Sequence, residues 1–155
     1  MAKPSNWTEN ALIELVTLAT GGQSYAIDIM QIREIRRWTS VTRLPHSPPG
    51  VLGVMNLRGM VIPIIDLAER LGLGTTEATA RHVVIIVALY GRTMGLLVES
   101  VSEILTVRGD AIREAPLVRN EESGRYILGL IEIENDMTRI IDLAAVLALS
   151  QEEAA

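Results

Sequence analysis

One pattern of strand-forming residues and glycines occurs twice in this chain of 155 residues, the second copy about half a chain after the first. Gly53 and Gly129 are 76 positions apart, and so are Asp66 and Asp142. Each copy runs from its glycine through an apolar stretch to an Ile-Asp-Leu triplet. A repeated strand pattern predicts two similar lobes with a groove between them, and such a groove is a place where a partner can bind.

The second copy is longer than the first near its end. Glu34 and Glu103 occupy matching positions but are only 69 residues apart, so seven extra residues precede the closing hairpin of the second copy. We place this insertion within the polar segment 108–124. The predicted organisation is a flexible start (residues 1–11), one domain of two lobes (12–149) joined near 72–82, and a flexible end (150–155).

The composition excludes several classes of protein. With 48% hydrophobic and 21% charged residues, the chain has a globular composition. Its net charge of −5 argues against a nucleic-acid surface, which needs clustered Lys and Arg. There is no Cys, so disulfides and thiolate metal sites are excluded. The start has no signal-peptide core, and no apolar run approaches the roughly 20 residues that a membrane helix needs. The sequence predicts a cytoplasmic protein without direct membrane insertion.

The pattern of apolar residues is mostly that of β-strands. Residues 83–87 are apolar on both faces, which predicts a strand buried between layers. Short helices are expected after Asp66 and Asp142, which have N-cap character. The fold class predicted is mostly β, with two small β-barrels packed side by side. Two hairpins with glycine turns begin the copies: residues 12–20 with 25–29, and residues 82–89 with 93–99.

No catalytic constellation is visible. Asp66 and Asp142 could form a carboxylate pair, but their matching positions before helices favour caps. His46 lies between prolines and His82 begins a strand, so each is interpreted as a surface residue rather than a catalytic base or metal ligand. No phosphate-binding glycine loop occurs. We therefore predict no enzymatic activity, no metal and no cofactor.

Arg58 follows Asn56 and precedes Gly59 in a segment that has the pattern of a turn between strands. The second copy has an ordinary polar turn at residues 134–136. One interpretation of Arg58 is a solvated turn residue. The other is a rigidly presented guanidinium that faces the groove, ready for a bidentate contact with a partner. The pattern alone leaves both open.

A mixed apolar and charged stretch covers residues 29–38. Ile29, Ile32 and Ile35 step by three residues, which fits either one helical turn or a twisted strand. All three isoleucines could belong to the core, or Ile32 or Met30 could be exposed among charges, as at protein interfaces. The following Trp38 is a barrel plug or an interface anchor, and the plug is slightly favoured.

Together these residues resemble the CheW family, the small coupling proteins of bacterial chemotaxis arrays. The resemblance runs from about Leu12 to Leu149, and its most specific part is the Asn-Leu-Arg-Gly hairpin followed by Ile-Pro-Ile-Ile-Asp-Leu. Further matching segments are 15–18, 25–29, 34–36, 41–45, 53–63, 66–67 and 95–98. The resemblance implies two SH3-like five-stranded β-barrels with a hydrophobic groove.

The same resemblance implies a non-enzymatic adaptor that is cytoplasmic and recruited to membrane-associated receptor arrays. Such an adaptor binds the cytoplasmic tip of methyl-accepting chemoreceptors and, through a separate surface, the regulatory domain of the histidine kinase CheA. That kinase domain has a related fold, so ring assembly with kinase domains is possible. The chain departs from the common pattern at Arg37-Trp38 and at Arg70, which leaves the choice of partner open.

Site residues follow from the resemblance position by position. The receptor-binding set is Ile32, Glu34 and Arg58, with Gly53, Asn56 and Gly59 shaping the hairpin. The kinase-binding set is Val83 and Val101.

Two rival functions are weighed against the adaptor. A peptide-binding SH3 surface needs an aromatic-lined groove, and the chain has only two Trp, three Tyr and no Phe. A small-ligand sensor is harder to exclude, because an apolar groove also binds small molecules.

Overall fold

The computed structural model describes residue 4 and residues 6–48, 50–114 and 125–147. No helix within those ranges has the length and apolar character needed to cross a membrane. The helical elements there are α1 (Leu67–Arg70), α2 (Leu143–Val146) and the 3-10 turns Ile29–Gln31 and Gly109–Ala111. The strands are β1 (Leu12–Thr20), β2 (Gln23–Asp28), β3 (Ile32–Arg37), β4 (Val51–Leu57), β5 (Met60–Asp66), β6 (Val83–Leu89), β7 (Arg92–Val98), β8 (Ser100–Arg108), β9 (Ile127–Ile133) and β10 (Asp136–Ile141).

The strands form two five-stranded sheets. One has the order β8-β1-β2-β10-β9 and the other β3-β6-β7-β5-β4. Beyond β3 the chain bridges back to β4 at Thr42 and Val54, and beyond β8 it bridges back to β9 at Arg113 and Leu130. Each sheet thus curls toward closure, and we call them the β1 barrel and the β3 barrel. The predicted mostly β fold with two five-stranded barrels is confirmed.

The barrels do not coincide with the two sequence copies, which corrects the predicted lobe plan. The hairpin β1–β2 of the first copy pairs with β8 and β10 of the second, and β6–β7 of the second copy pairs with β3 and β5 of the first. Segment 72–82 therefore joins two parts of the β3 barrel rather than two lobes. The chain passes between barrels at Ile29–Gln31 and at Glu99. The apolar pattern indicates which face of a strand is buried, but not which strand edge it joins.

Tight two-residue turns connect the hairpins. Both turn residues have positive φ in each of them, which is the type I′ geometry whose twist matches that of paired strands. The turns are Gly21-Gly22, Arg58-Gly59, Tyr90-Gly91 and Glu134-Asn135.

The largest hydrophobic cluster lies between the barrels, and each barrel also has its own interior. Strand β6 contributes side chains both to the cluster between the barrels and to the interior of its own barrel. Ile85 and Val87 belong to the cluster between the barrels, whereas Val84 and Ile86 fill the interior of the β3 barrel. This confirms the prediction that the apolar run 83–87 is buried between layers.

The predicted flexible start of the chain is wrong for its last few residues. Trp7 is buried in the interior of the β1 barrel, and its indole Nε1 donates to Asp28 Oδ2 at 3.4 Å. The backbone N–H of Gly109 donates to the carbonyl of Ala11 at 2.9 Å. A large aromatic side chain that fills a barrel gains more from burial than the ordering of a few residues costs. The predicted flexible end at 150–155 and part of the insertion (115–124) lie outside the described residues.

The repeated aspartates are helix caps, as predicted. Asp66 is fully buried, and its carboxylate accepts from the backbone N–H of Glu69 at 3.4 Å and from the N–H and hydroxyl of Thr76 at 2.7 Å each. Asp142 accepts from the N–H of Ala145 at 3.3 Å. The caps satisfy backbone donors that would otherwise be left unpaired where each helix begins.

Candidate functional site

The segment after β2 resolves the ambiguity of the three isoleucines. A 3-10 turn over Ile29–Gln31 leads into β3, and the register of β3 against β6 shifts between Ile32 and Glu34. The 3-10 turn accounts for the three-residue step from Ile29 to Ile32, and the bulge accounts for the step from Ile32 to Ile35. Ile29 and Ile32 are half-buried, Ile35 is 45% exposed and Met30 is 75% exposed. The alternative that all three isoleucines are core residues is therefore wrong.

Trp38 lies at the end of this segment. It is half-buried and packs against the interior cluster of the β3 barrel, as the plug interpretation predicts. The same side chain lines a surface groove of about 460 Å³ together with Val41 and Arg43.

An open groove of about 570 Å³ lies where the chain crosses between the barrels. One wall comes from residues 32–35 and the other from residues 101–104, which are counterparts in the two copies at the offset of 69. Ile35 and its counterpart Ile104 are 45% and 59% exposed, so the groove offers apolar surface to a partner. The lining is completed by Val16 and Ile29.

The β4–β5 hairpin presents Arg58 at its tip. The residue has φ 51°, a left-handed conformation that L-residues rarely adopt, and Gly59 follows with φ 85°. Asn56 stabilises this turn, because its Oδ1 accepts from the N–H of Gly59 at 2.9 Å. The turn thus fixes the backbone from which the arginine side chain projects.

Gly53 has a structural role at the other end of the hairpin. A β-carbon there would collide with the carbonyl oxygen of Thr42, which is paired with Val54. In the second copy, a β-carbon on Gly129 would lie 2.8 Å from the carbonyl oxygen of Arg113. The repeated glycine therefore allows the close backbone approach at each barrel's closing bridge.

Glu34 connects β3 to the tip of this hairpin. Its Oε2 accepts from Arg58 Nη2 at 2.6 Å, and its Oε1 accepts from Arg58 Nη1 at 3.5 Å. Oε1 also accepts from Arg36 Nη1 at 2.7 Å. The Glu34 side chain is 26% exposed, whereas that of Arg58 is 70% exposed. The guanidinium of Arg58 is therefore held by Glu34 while most of the arginine side chain stays open to solvent.

The two arginines shift the ionisation of the carboxyl group. Hydrogen bonds from Arg58 first, and from Arg36 second, lower the pKa of Glu34 from 4.5 to about 2. The same contact raises the pKa of Arg58. Both groups are therefore charged across the physiological pH range.

Two of the predicted receptor-facing residues line the groove, and the third is bonded to one of them. Ile32 and Glu34 line it, and Glu34 holds Arg58. A guanidinium has five N–H donors, and the contact with Glu34 uses one on each of two nitrogens. Three donors of Arg58 remain for a partner. The arrangement can bind a partner that presents apolar side chains to the groove and a hydrogen-bond acceptor to Arg58.

The predicted kinase-facing pair is divided between the two barrels. Val83 begins β6 in the β3 barrel, where it pairs with Arg37, and Val101 lies on β8 in the β1 barrel. Both are half-buried and pack against the cluster between the barrels. Val101 also lines the same groove as Ile32. At Val101, therefore, the two predicted surfaces are not separate.

In the described ranges, no three His, Asp or Glu side chains come together in a way that could hold a metal ion. His46 is exposed in a loop with φ 60°. His82 is half-buried, and its Nδ1 accepts from the N–H of Thr79 at 3.0 Å.

Sequence reasoning missed Arg36 as part of the site, along with the exposed Ile35 and Ile104. The repeat carried a signal for Ile104, because it is the counterpart of Ile35 on the opposite wall of the groove. Alternation along β3 carried a signal for Arg36, since residues two apart on a strand face the same side.

Known proteins of one family are similar to this chain over nearly its whole length. A family profile described as the CheW-like domain matches residues 14–151. The probable chemotaxis protein CheW of Rhizobium etli is 43% identical over 142 residues, which cover 92% of each chain. The chemotaxis protein CheW of Bacillus subtilis is 34% identical over 86% of each chain. The crystal structure of the scaffolding protein TtCheW from Thermoanaerobacter tengcongensis superposes with a TM-score of 0.81 at 28% identity, covering 91% of this chain and 96% of that one.

Proposed function

This chain belongs to the CheW family, and on that premise we propose that it is a non-enzymatic adaptor of a chemosensory array, coupling the histidine kinase CheA to methyl-accepting chemoreceptors. Its relatives carry chemotaxis names, and its structural neighbour is a scaffolding protein. Those names, rather than the missing catalytic groups, support a role in binding. The protein would be cytoplasmic and recruited to receptor arrays by its partners.

The observation that supports the receptor part of the proposal is the ion pair between Arg58 and a residue that lines the apolar groove. Glu34 lines the groove and holds Arg58, whose guanidinium is largely exposed. A charged group fixed beside apolar surface is the arrangement of an interface hot spot, where arginine is enriched. In this proposal the helical receptor tip lies along the groove. Ile32 supplies apolar contact, and Arg58 donates hydrogen bonds to an acceptor on the receptor.

The kinase part rests on the relation between the folds. A partner built from the same kind of barrels can pair barrel against barrel, and contacts between unlike faces can close into a ring. Many modest contacts in one array then reinforce one another through effective concentration. Val83 and Val101 stay our candidates for this interface, with Val101 close enough to the receptor groove to respond to both partners.

Co-sedimentation tests the proposal directly. Receptor-bearing membranes are pelleted with the purified cognate kinase, with and without this protein. We expect the kinase in the pellet only when the protein is present. If neither this chain nor the kinase enters the pellet, the adaptor role with these partners is wrong. A thermal-shift screen would then test the ligand-sensor alternative, because a ligand that binds the native state raises the melting temperature.

Arg58→Ala tests the receptor site within the same assay. Its counterpart Glu134→Ala is the matched control, because Glu134 occupies the same turn position in the other barrel with φ 50°. We expect Arg58→Ala to weaken receptor binding roughly 10-fold or more, since truncated hot-spot residues have effects of that size. Glu134→Ala should bind as the wild type does. Equal binding by a correctly folded Arg58→Ala protein would remove Arg58 from the interface.

A further inference from the structure

Arg36 makes a second short contact with the carboxylate that holds Arg58. It lies two residues after Glu34 on β3, and its Nη1 is 2.7 Å from Oε1 of the carboxylate. Arg58 Nη1 approaches the same oxygen only to 3.5 Å. Arg36 therefore makes the shorter contact with Oε1, and the one short bond of Arg58 is to Oε2 at 2.6 Å.

The charges at this site do not cancel. Two guanidinium groups share one carboxylate, so the group of three carries a net charge of one positive unit. If Arg36 were absent, Glu34 and Arg58 would form a neutral two-point pair. Withdrawing Arg58 would then leave the partly exposed carboxylate of Glu34 without a cation, which disfavours its charged form.

We propose that Arg36 is a positioning residue that keeps Glu34 paired, so that Arg58 is free to turn its donors toward a carboxylate on the receptor helix. The inference rests on the proposed receptor site, and it adds a residue and the chemistry of the partner group. Arg36 itself does not need to touch the receptor.

The wider charge distribution fits an acidic partner group. Residues 29–98, which contain the whole β3 barrel, hold eight arginines and four acidic residues, although the chain as a whole has a net charge of −5. The barrel that presents Arg58 is therefore the basic part of an acidic protein. A carboxylate on the receptor would be attracted to this barrel and repelled by the other.

The test is a double-mutant cycle on receptor binding. Arg36→Gln is compared in the wild-type and Glu34→Gln backgrounds, with Arg37→Gln as the control. Arg37 is exposed on the opposite face of β3, so the control removes the same charge from the same strand. We expect Arg36→Gln to weaken binding roughly 3- to 10-fold, the size of coupling between neighbouring groups. Arg37→Gln should change binding less than twofold, and Arg36→Lys should recover most of the loss.

The decisive result is the dependence on Glu34. Because Arg36 acts through the carboxylate, its replacement should have no further effect once Glu34 is glutamine. An equal loss in both backgrounds would mean that Arg36 contacts the receptor directly, and no loss in either would mean that it has no role. Both outcomes overturn the inference.

A measurement on the free protein separates this inference from the proposed function. A carboxyl-carbon NMR titration should show a higher pKa for Glu34 in Arg36→Gln than in the wild type, and an unchanged pKa would refute the positioning role. If Arg58→Ala binds the receptor normally, the proposed receptor site fails and the inference fails with it. If Arg58→Ala binds weakly and Arg36→Gln binds normally, only the inference fails.

Discussion

At the scale of the residue, Glu34 holds the candidate site together. The resemblance supplied Glu34 and Arg58 as separate positions, but no local pattern indicated that they bond across 24 residues of chain. That contact exists because the bend after β3 returns the chain to β4 at Thr42 and Val54. Arg36 was missed for a different reason. Alternation places it on the same face of β3 as Glu34, but an arginine on a half-exposed strand usually faces water and needs no partner.

The lowered pKa of Glu34 predicts how the stability of the protein depends on pH. Its pKa falls from 4.5 to about 2 on folding, so the folded protein binds the proton less tightly than the unfolded chain does. Its contribution to stability is therefore complete above about pH 4.5 and is lost as the pH falls toward 2. The difference in free energy of unfolding between wild type and Glu34→Gln should stay constant from pH 7 to 5 and then shrink. Urea denaturation at several pH values measures it.

Arg58→Ala is the control for that titration. Removing the strongest hydrogen bond to Glu34 should raise the carboxyl pKa in the folded protein, so Glu34 should lose less stability on acidification, and over a narrower pH range that begins at the same upper limit. A difference that continues unchanged down to pH 2 would show that the ion pair does not form in solution.

At the scale of the element, hairpins could be predicted from sequence and their partners could not. Alternating apolar residues around glycine turns located β1–β2 and β6–β7, and the repeat located β4–β5 and β9–β10. The parallel pairings between β2 and β10 and between β5 and β7 join strands far apart in sequence. Nothing in the apolar alternation of a strand specifies a partner at such a distance.

The segment before β1 gives the clearest prediction at this scale. Trp7 is 5% exposed and fills the interior of the β1 barrel. Trp7→Ala should lower the free energy of unfolding by about 3–5 kcal/mol, the usual cost of truncating a buried aromatic residue. Trp38→Ala is the comparison, because Trp38 is only half-buried and should cost less. Equal losses in urea denaturation would show that Trp7 is not a core residue in solution.

At the scale of the whole molecule, the exchange of hairpins makes the two barrels interdependent. Each barrel contains strands from both sequence copies, and the largest core cluster lies between the barrels. Unfolding should therefore be cooperative, because neither barrel keeps a complete set of buried surfaces without the other.

Half-chains test this interdependence. The fragments 1–77 and 78–155 each contain one sequence copy. The first has three strands of the β3 barrel but lacks the hairpin β6–β7, and the second has three strands of the β1 barrel but lacks the hairpin β1–β2. We expect neither fragment alone to give the dispersed NMR spectrum of a folded monomer, and an equimolar mixture to restore it. The full chain, cut at a protease site placed within residues 75–79, serves as the control and should stay folded. A folded monomer from either fragment would contradict the prediction.

The exchanged hairpins have the arrangement of a domain-swapped dimer whose two subunits have been joined end to end. A homodimer of that kind would carry two identical hairpin tips and would bind its partners with two-fold symmetry. Fusion into one chain allows the equivalent positions to diverge, and Arg58 and Glu134 now place opposite charges at matching turns. A framework with an internal repeat thereby presents one distinguishable tip on each barrel, which would give the proposed adaptor a direction in a larger assembly.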